Sequence, residues 1–191
     1  MRLNTDGSYD MSFDGDGKAT FDLTGTDDYA HGVDVQADNK LLIAGYTVNA
    51  TNEMFVMRLQ PGGALDLSFD GDGRREIDLG SDERGNTVIA QTDGKILLGG
   101  STGNPFGAAV KLAVAKINSD GTLDNNFAGT GVGTYAHGTG SHSGEDIALQ
   151  TDGKIVGVGF GATQIGFPPN NTGRVLVRLT NFVIDAAALP V

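Results

Sequence analysis

Apolar residues in this chain come in short runs separated by polar, glycine-rich turns. Val33 and Val35 alternate with polar neighbours, and Leu41-Leu-Ile-Ala44 is continuously apolar. In Phe55-Val-Met-Arg-Leu59 an extended backbone puts Phe55, Met57 and Leu59 on one face and Val56 on the other. Runs of this length and period predict β-strands. The first unit therefore reads as four strands: Lys18 to Leu23, Tyr29 to Gln36, a third beginning at Leu41, and Phe55 to Leu59. A turn at Gly25 to Asp28 and a loop at Asn49 to Asn52 separate them.

The pattern then repeats. Val33, Val88 and Ile147 correspond, as do Val35, Ala90 and Leu149. The third strand recurs as Ile96-Leu-Leu and Ile155-Val-Gly, the fourth as Ala113 to Ile117 and Val175 to Leu179. Two phrases keep the same beat. Gln36-Ala-Asp-Asn-Lys40 returns as Gln91-Thr-Asp-Gly-Lys95 and Gln150-Thr-Asp-Gly-Lys154, and Arg2 to Phe13 returns as Arg58 to Phe69 and Lys116 to Phe127. A period of this size marks copies of one supersecondary unit. Asp93-Gly94 and Asp152-Gly153 predict a two-residue type I′ hairpin turn, with Asn39 taking the left-handed position in the first copy. The connector from Gln60 to Gly73 is expected to cross from one copy to the next, with Leu65 and Phe69 plugging the gap between neighbours. That places both phrases on one face and the irregular loops near 47–53, 102–111 and 162–174 on the other.

Strands apolar on both faces need cover on both sides. Four short antiparallel strands per copy, stacked face to face, predict an all-β, β-propeller-like array of three four-stranded blades, at about 18–60, 74–118 and 132–180, with a tail at 181–191. A two-sheet sandwich leaves the repeat unexplained. Closed propellers have about four to eight blades. Three blades leave two open apolar flanks, which soluble monomers rarely expose. The expectation is a homo-oligomer in which two chains close a six-bladed ring, with Met1 to Asn4 adding to a blade edge at the junction. Excision from a longer array and head-to-tail fibres are the alternatives.

The phrases Arg2-Leu-Asn-Thr-Asp-Gly-Ser-Tyr-Asp-Met-Ser-Phe-Asp-Gly-Asp-Gly-Lys18 and Asp27-Asp-Tyr-Ala-His-Gly-Val-Asp-Val-Gln-Ala-Asp-Asn-Lys-Leu-Leu-Ile-Ala-Gly-Tyr46 resemble the bacterial delta-60 repeat, a propeller-like class of unknown function. The resemblance runs from Arg2 to about Leu179. It implies blades of large secreted or cell-surface proteins and carries no catalytic residue and no ligand. The third copy departs from it at Ala128-Gly-Thr-Gly131, where the first two have Asp-Gly-Asp-Gly.

Composition narrows the function classes. The 191 residues carry a formal charge of −11, which disfavours nucleic acid as a partner. The absence of cysteine removes disulfides, thiolate metal sites and cysteine nucleophiles. No apolar run approaches a membrane span, and no signal peptide is visible. The 30 glycines sit at fixed places in the repeats and punctuate turns.

Candidate chemistry is sparse. Asp14, Asp16, Asp70 and Asp72 are the candidate calcium ligands, since a hard cation wants several oxygens. Against that, Asp-Gly pairs are ordinary turn chemistry and the third copy lacks both aspartates. His137 and His142, beside Glu145 and Asp146, have transition-metal donors without a metal-site spacing. His31 reads as a surface or interface residue. Ser141, His142 and Asp146 lack the frame of a nucleophile elbow. The sequons at Asn49 and Asn170 carry little weight in a bacterial chain. No cofactor is expected. The sequence points to a non-enzymatic scaffold or ligand-binding module at the bacterial cell surface, taking a protein or glycan ligand. A polymerising structural protein and a carboxylate-dependent hydrolase or lyase over the propeller channel are the competing classes.

Overall fold

The computed structural model describes residues 1–103, 110–136 and 142–161. They form ten strands and, among the described residues, no helix. The strands make three antiparallel sheets. The first holds β1 (Asp28–Val35), β2 (Leu41–Val48), β3 (Asn52–Leu59) and β4 (Arg74–Ile77) in that order. The second repeats it with β5 (Glu83–Ala90), β6 (Ile96–Thr102), β7 (Lys111–Ile117) and β8 (Val132–Tyr135). The third is the pair β9 (His142–Leu149) and β10 (Ile155–Gly161). The strand expected at Val175 to Leu179 lies outside the described residues, as do the loop at 162–174, most of that at 102–111, and the tail.

Sheets stack face to face, as strands with two apolar faces require. Leu42, Ala44, Met54 and Val56 from the first sheet share one core with Val88, Ile96, Leu98, Ala113, Ala115 and Ile117 from the second. Leu97 and Val114 on the second sheet's far side meet Ile147 and Ile155 of the third. The same pair of surfaces is therefore mated twice: the Leu42 and Leu97 side of one sheet against the Ile96 and Ile155 side of the next. Repeated sheets packed in this head-to-tail manner are the architecture of a propeller, and each sheet is one blade.

The unit boundary differs from the sequence expectation. Arg74–Ile77 pairs with β3 as the outer strand of the first blade and does not open the second. Blade 1 therefore spans 28–77 and blade 2 spans 83–135. The long connector stays within a blade because it folds back on itself. Arg58 N–H donates to Gly73 O at 2.9 Å, Asp66 N–H donates to Arg58 O at 2.9 Å, and Leu65 bridges Leu59. Both ends of this module are thus held beside β3, and the chain leaves it alongside that strand. The short loop at 78–82 makes the crossing between blades. Residues 18–23, the equivalent of β4 in the first copy, lie outside any sheet.

The tight turn also differs. Asn39 N–H donates to Gln36 O at 2.9 Å, Gln36 N–H donates to Lys40 O at 2.9 Å, and among non-glycine residues of the hairpin only Asn39 has positive φ, at 65°. Gly94 and Gly153 take φ of 84° and 83° at the same place. This is the three-residue loop with one left-handed residue at its end, not the type I′ turn, which needs two. Asp38 accepts from Lys40 N–H, so the Asp is a turn cap.

Of the two expected plugs, Phe69 behaves as expected. Phe69 is fully buried in the core between blades 1 and 2, and Phe13 is buried against the outer side of blade 1. Leu65 packs with Phe13 on that outer side, so of the two expected plugs Phe69 alone enters the gap between blades 1 and 2, where Leu123 of the next module joins it.

Candidate functional site

The repeated residues build a polar tie inside each blade. Asp66 sits in the connector module, where it takes Arg58 Nε at 2.7 Å, Lys40 Nζ at 3.0 Å and the Ser68 hydroxyl at 2.7 Å. Burial alone would raise the Asp66 carboxyl; the Ser68 hydroxyl, the Lys40 ammonium, the Ser68 N–H and the Arg58 guanidinium outweigh it and hold the group well below the usual carboxylate range. Blade 2 repeats the tie with Lys95 Nζ 2.6 Å from Asp124, whose carboxyl that lysine holds low. The lysine of the Gln-x-Asp-Gly-Lys phrase thus locks the β1–β2 and β5–β6 hairpins to their own connectors. Modules also stack on one another. Arg58 Nη1 donates to Ser119 O at 2.6 Å, and Asp70 N–H donates to Asp120 O at 2.7 Å. Residues 2–17 form a third module on the same stack, with Asp14 N–H donating to Gly62 O at 2.8 Å and Arg2 Nη1 donating to Pro61 O.

The surface left open is the outer side of blade 1. Val33 is 70% exposed, while its equivalents Val88 and Ile147, each covered by a preceding blade, are 5% exposed. Ala19, Phe21 and Leu23 pack on Phe55, Met57 and Leu59 and cover only part of this side. Between them and the inner strands runs a groove of about 410 Å³, lined by Phe21, Tyr29, His31, Val33, Ile43 and Phe55 among others. At the opposite end of the array, Val158 is 39% exposed, where the equivalent Ala44 is fully buried.

At one end of the groove, three rings stack. Tyr29 and Tyr46 lie 5.1 Å apart, His31 and Tyr46 5.4 Å, and Arg84 reaches from blade 2 to sit over Tyr46 at 5.3 Å. The sequence reading placed His31 at a surface or interface, and it lines the open groove. The stack itself was not anticipated. Its signal is that the copies differ here: Tyr29 corresponds to Arg84 and Ser143, His31 to Asn86 and Glu145.

The calcium candidates lie in two separate modules. Asp14 and Asp70 carry positive φ of 51° and 52°, and Ala128 keeps 51° in the third copy. Asp16 accepts from Lys18 N–H at 2.8 Å, Asp72 accepts from Arg74 N–H at 3.0 Å, and Asp70 lies 3.2 Å from Arg75 Nη1. Among the described residues no three His, Asp or Glu side chains converge as a metal set. His137 and Ser141 lie outside the described residues, as does the side chain of His142. Glu145 accepts from Ser143 and Asp146 from Ile147 N–H. No described helix is long and apolar enough to cross a membrane.

Three stacked antiparallel sheets, two of four strands and one of two among the described residues, with a plug module after the third strand of each four-stranded sheet, define a propeller-like protein. Residues 36–69 and 91–127, less than half of the chain, match a family described as a domain of unknown function (DUF5122) beta-propeller. Each matched segment runs from the hairpin glutamine to the plug phenylalanine. Those are the two stretches that contain a complete lysine–aspartate tie. No curated protein matches the chain.

Proposed function

We propose that this chain is a non-enzymatic propeller scaffold of a secreted or cell-surface bacterial protein, and that its open blade flanks join two copies in a six-bladed ring. The observation that carries this reading is the contrast between Val33 and its equivalents, 70% against 5% exposed. Every copy of that position is built for cover, and the first lacks it. The two open ends are the two halves of the contact already made twice inside the chain, so a second copy fits without new surface chemistry. Such a contact is heterologous and closes only at a particular blade number. Light scattering tests this: a mass of two chains is expected, a persistent monomer overturns assembly, and long polymers in micrographs favour a fibre.

The repeated residues supply turns, ties and core, and this favours a scaffold over a carboxylate-dependent enzyme. Ligand binding is supported by the stack of Tyr29, His31 and Tyr46 under Arg84, where aromatic faces and a guanidinium stand together in a position the copies do not share. A glycan or protein ligand recognised there should lose affinity when Tyr29 becomes alanine. A glycan-array signal unchanged in that variant would remove the stack from the binding site.

A further inference from the structure

The module at residues 2–17 is complete except for one partner. Asp10 takes Arg2 Nε at 2.7 Å and the Ser12 hydroxyl at 2.6 Å, as Asp66 takes Arg58 and Ser68. Asp66 and Asp124 each also receive a hairpin lysine, and their side chains are 3% and 7% exposed. Asp10 makes no lysine pair among the described residues, and its side chain is 24% exposed. The module is otherwise seated as if a blade stood above it, through the bonds to Pro61 O and Gly62 O. Residues 18–23 complete the likeness. Ala19, Phe21 and Leu23 are half-buried and Thr20 and Asp22 exposed, the alternation of an outer strand, yet they pair with no strand. A connector and an outer strand are thus in place beside a groove shaped by the absence of inner strands.

At the other end the chain carries what is missing here. The β9–β10 hairpin has Lys154 at the position of Lys40 and Lys95, 2.6 Å from Asp152 of its own turn, as Lys40 holds Asp38 of its turn together with the connector's Asp66; Val156 and Val158 stand at the positions of Leu42 and Ala44. Its sense of packing is fixed by two precedents, since Leu42 and Ala44 already face the next blade's equivalents of Val33 and Ile43, and Leu97 shares a core with Ile147 of the blade after. Resting on the assembly reading above, we infer that the β9–β10 hairpin of a second copy fills the groove. Residues 2–23 of one chain then supply the connector and outer edge, and β9–β10 of the other the inner hairpin, of a composite blade, with Lys154 of the second copy on Asp10. The charges are complementary, and the contact continues the stack of modules already formed by 2–17, 58–73 and 116–131. Closure of the ring is then an exchange of an outer strand and its connector between chains, and not a simple face contact.

The chain has no cysteine, so single reporter thiols are clean. An equimolar mixture of Asp10→Cys and Lys154→Cys chains, treated with bis-maleimidoethane, is expected to give a crosslinked dimer, while neither variant alone does. A second measurement keeps the ion pair itself in view. Asp10→Lys and Lys154→Asp should each weaken dimerisation by about tenfold or more, and the double variant should recover most of that loss. A wild-type dimer with no mixed crosslink and with additive charge effects overturns the composite blade and leaves assembly standing. A wild-type chain that is monomeric at every concentration overturns both. A crosslinked ladder from the double-cysteine chain keeps the junction and overturns the closed ring.

Discussion

Replacing Asp66 by asparagine tests whether the polar tie holds the blade. The side chains of Asp66 and Arg58 are 3% and 6% exposed, and their atoms are 2.7 Å apart. Asparagine keeps the volume and one acceptor for Ser68 but removes the charge. Arg58 then keeps its bonds to Ser119 O and Ser68 and its place over the Phe69 ring at 4.6 Å, with no buried counter-charge. Breaking a buried pair from one side costs roughly 3–5 kcal/mol, because the remaining ion stays desolvated. Lys40→Met removes the tie's outer member, which is 24% exposed and keeps its ammonium near water. That change should cost no more than about 1 kcal/mol. Equilibrium unfolding in urea at neutral pH and fixed protein concentration reads both as shifts in midpoint. An Asp66→Asn cost below about 1 kcal/mol, or one equal to that of Lys40→Met, would refute the claim that a buried charge organises the connector.

The pH dependence follows from the same group. The Asp66 carboxyl is lowered in the folded state, so the unfolded chain binds its proton more readily. Its contribution is full above the unfolded value of about 4 and is lost as pH falls through the folded one. The stability gap between wild type and Asp66→Asn should therefore be constant near neutrality and narrow on acidification below about pH 4.

Val33→Arg should leave single-chain stability nearly unchanged, since the side chain is 70% exposed, while abolishing the proposed dimer in light scattering; a dimer that survives would place the interface elsewhere. Gly100→Ala should prevent folding or cost several kcal/mol, because the new Cβ would lie 1.9 Å from Arg84 O; a melting point near wild type would contradict this. Melting in calcium and in chelator should coincide, because Asp16, Asp70 and Asp72 are engaged by backbone N–H groups and Arg75 and no three carboxylates converge among the described residues, and a rise of several degrees with calcium would restore the metal site. Ala128→Gly should stabilise by roughly 0.5 kcal/mol, relieving a left-handed alanine at φ 51°; a loss of stability would show that the methyl is needed.

The strands, their two apolar faces and their fourfold grouping were legible because each is a local property written several times. Phase was not. A repeat has no natural start, and reading Gln60 to Gly73 as the crossing between copies gives residues 74–79 to the second blade. That reading fails because the module from 58 to 73 folds back onto β3, held by the Arg58 and Asp66 backbone bonds. The turn was misread for a related reason. Asp-Gly fits two hairpin loops, and only the pairing of Gln36 with Lys40 distinguishes them. The glycine of the second strand was a missed signal. Gly45, Gly100 and Gly159 all recur, and a Cβ on each would strike the carbonyl of Tyr29, Arg84 or Ser143 on the neighbouring strand, where the pairing register shifts. A glycine repeated inside an apolar strand thus marks a bulge opposite. The candidate site was legible only by subtraction. Val33 looks like Val88 in the sequence, and nothing local tells them apart. What separates them is that one has a blade before it, so the candidate surface is defined by position in the array and not by the residues that line it.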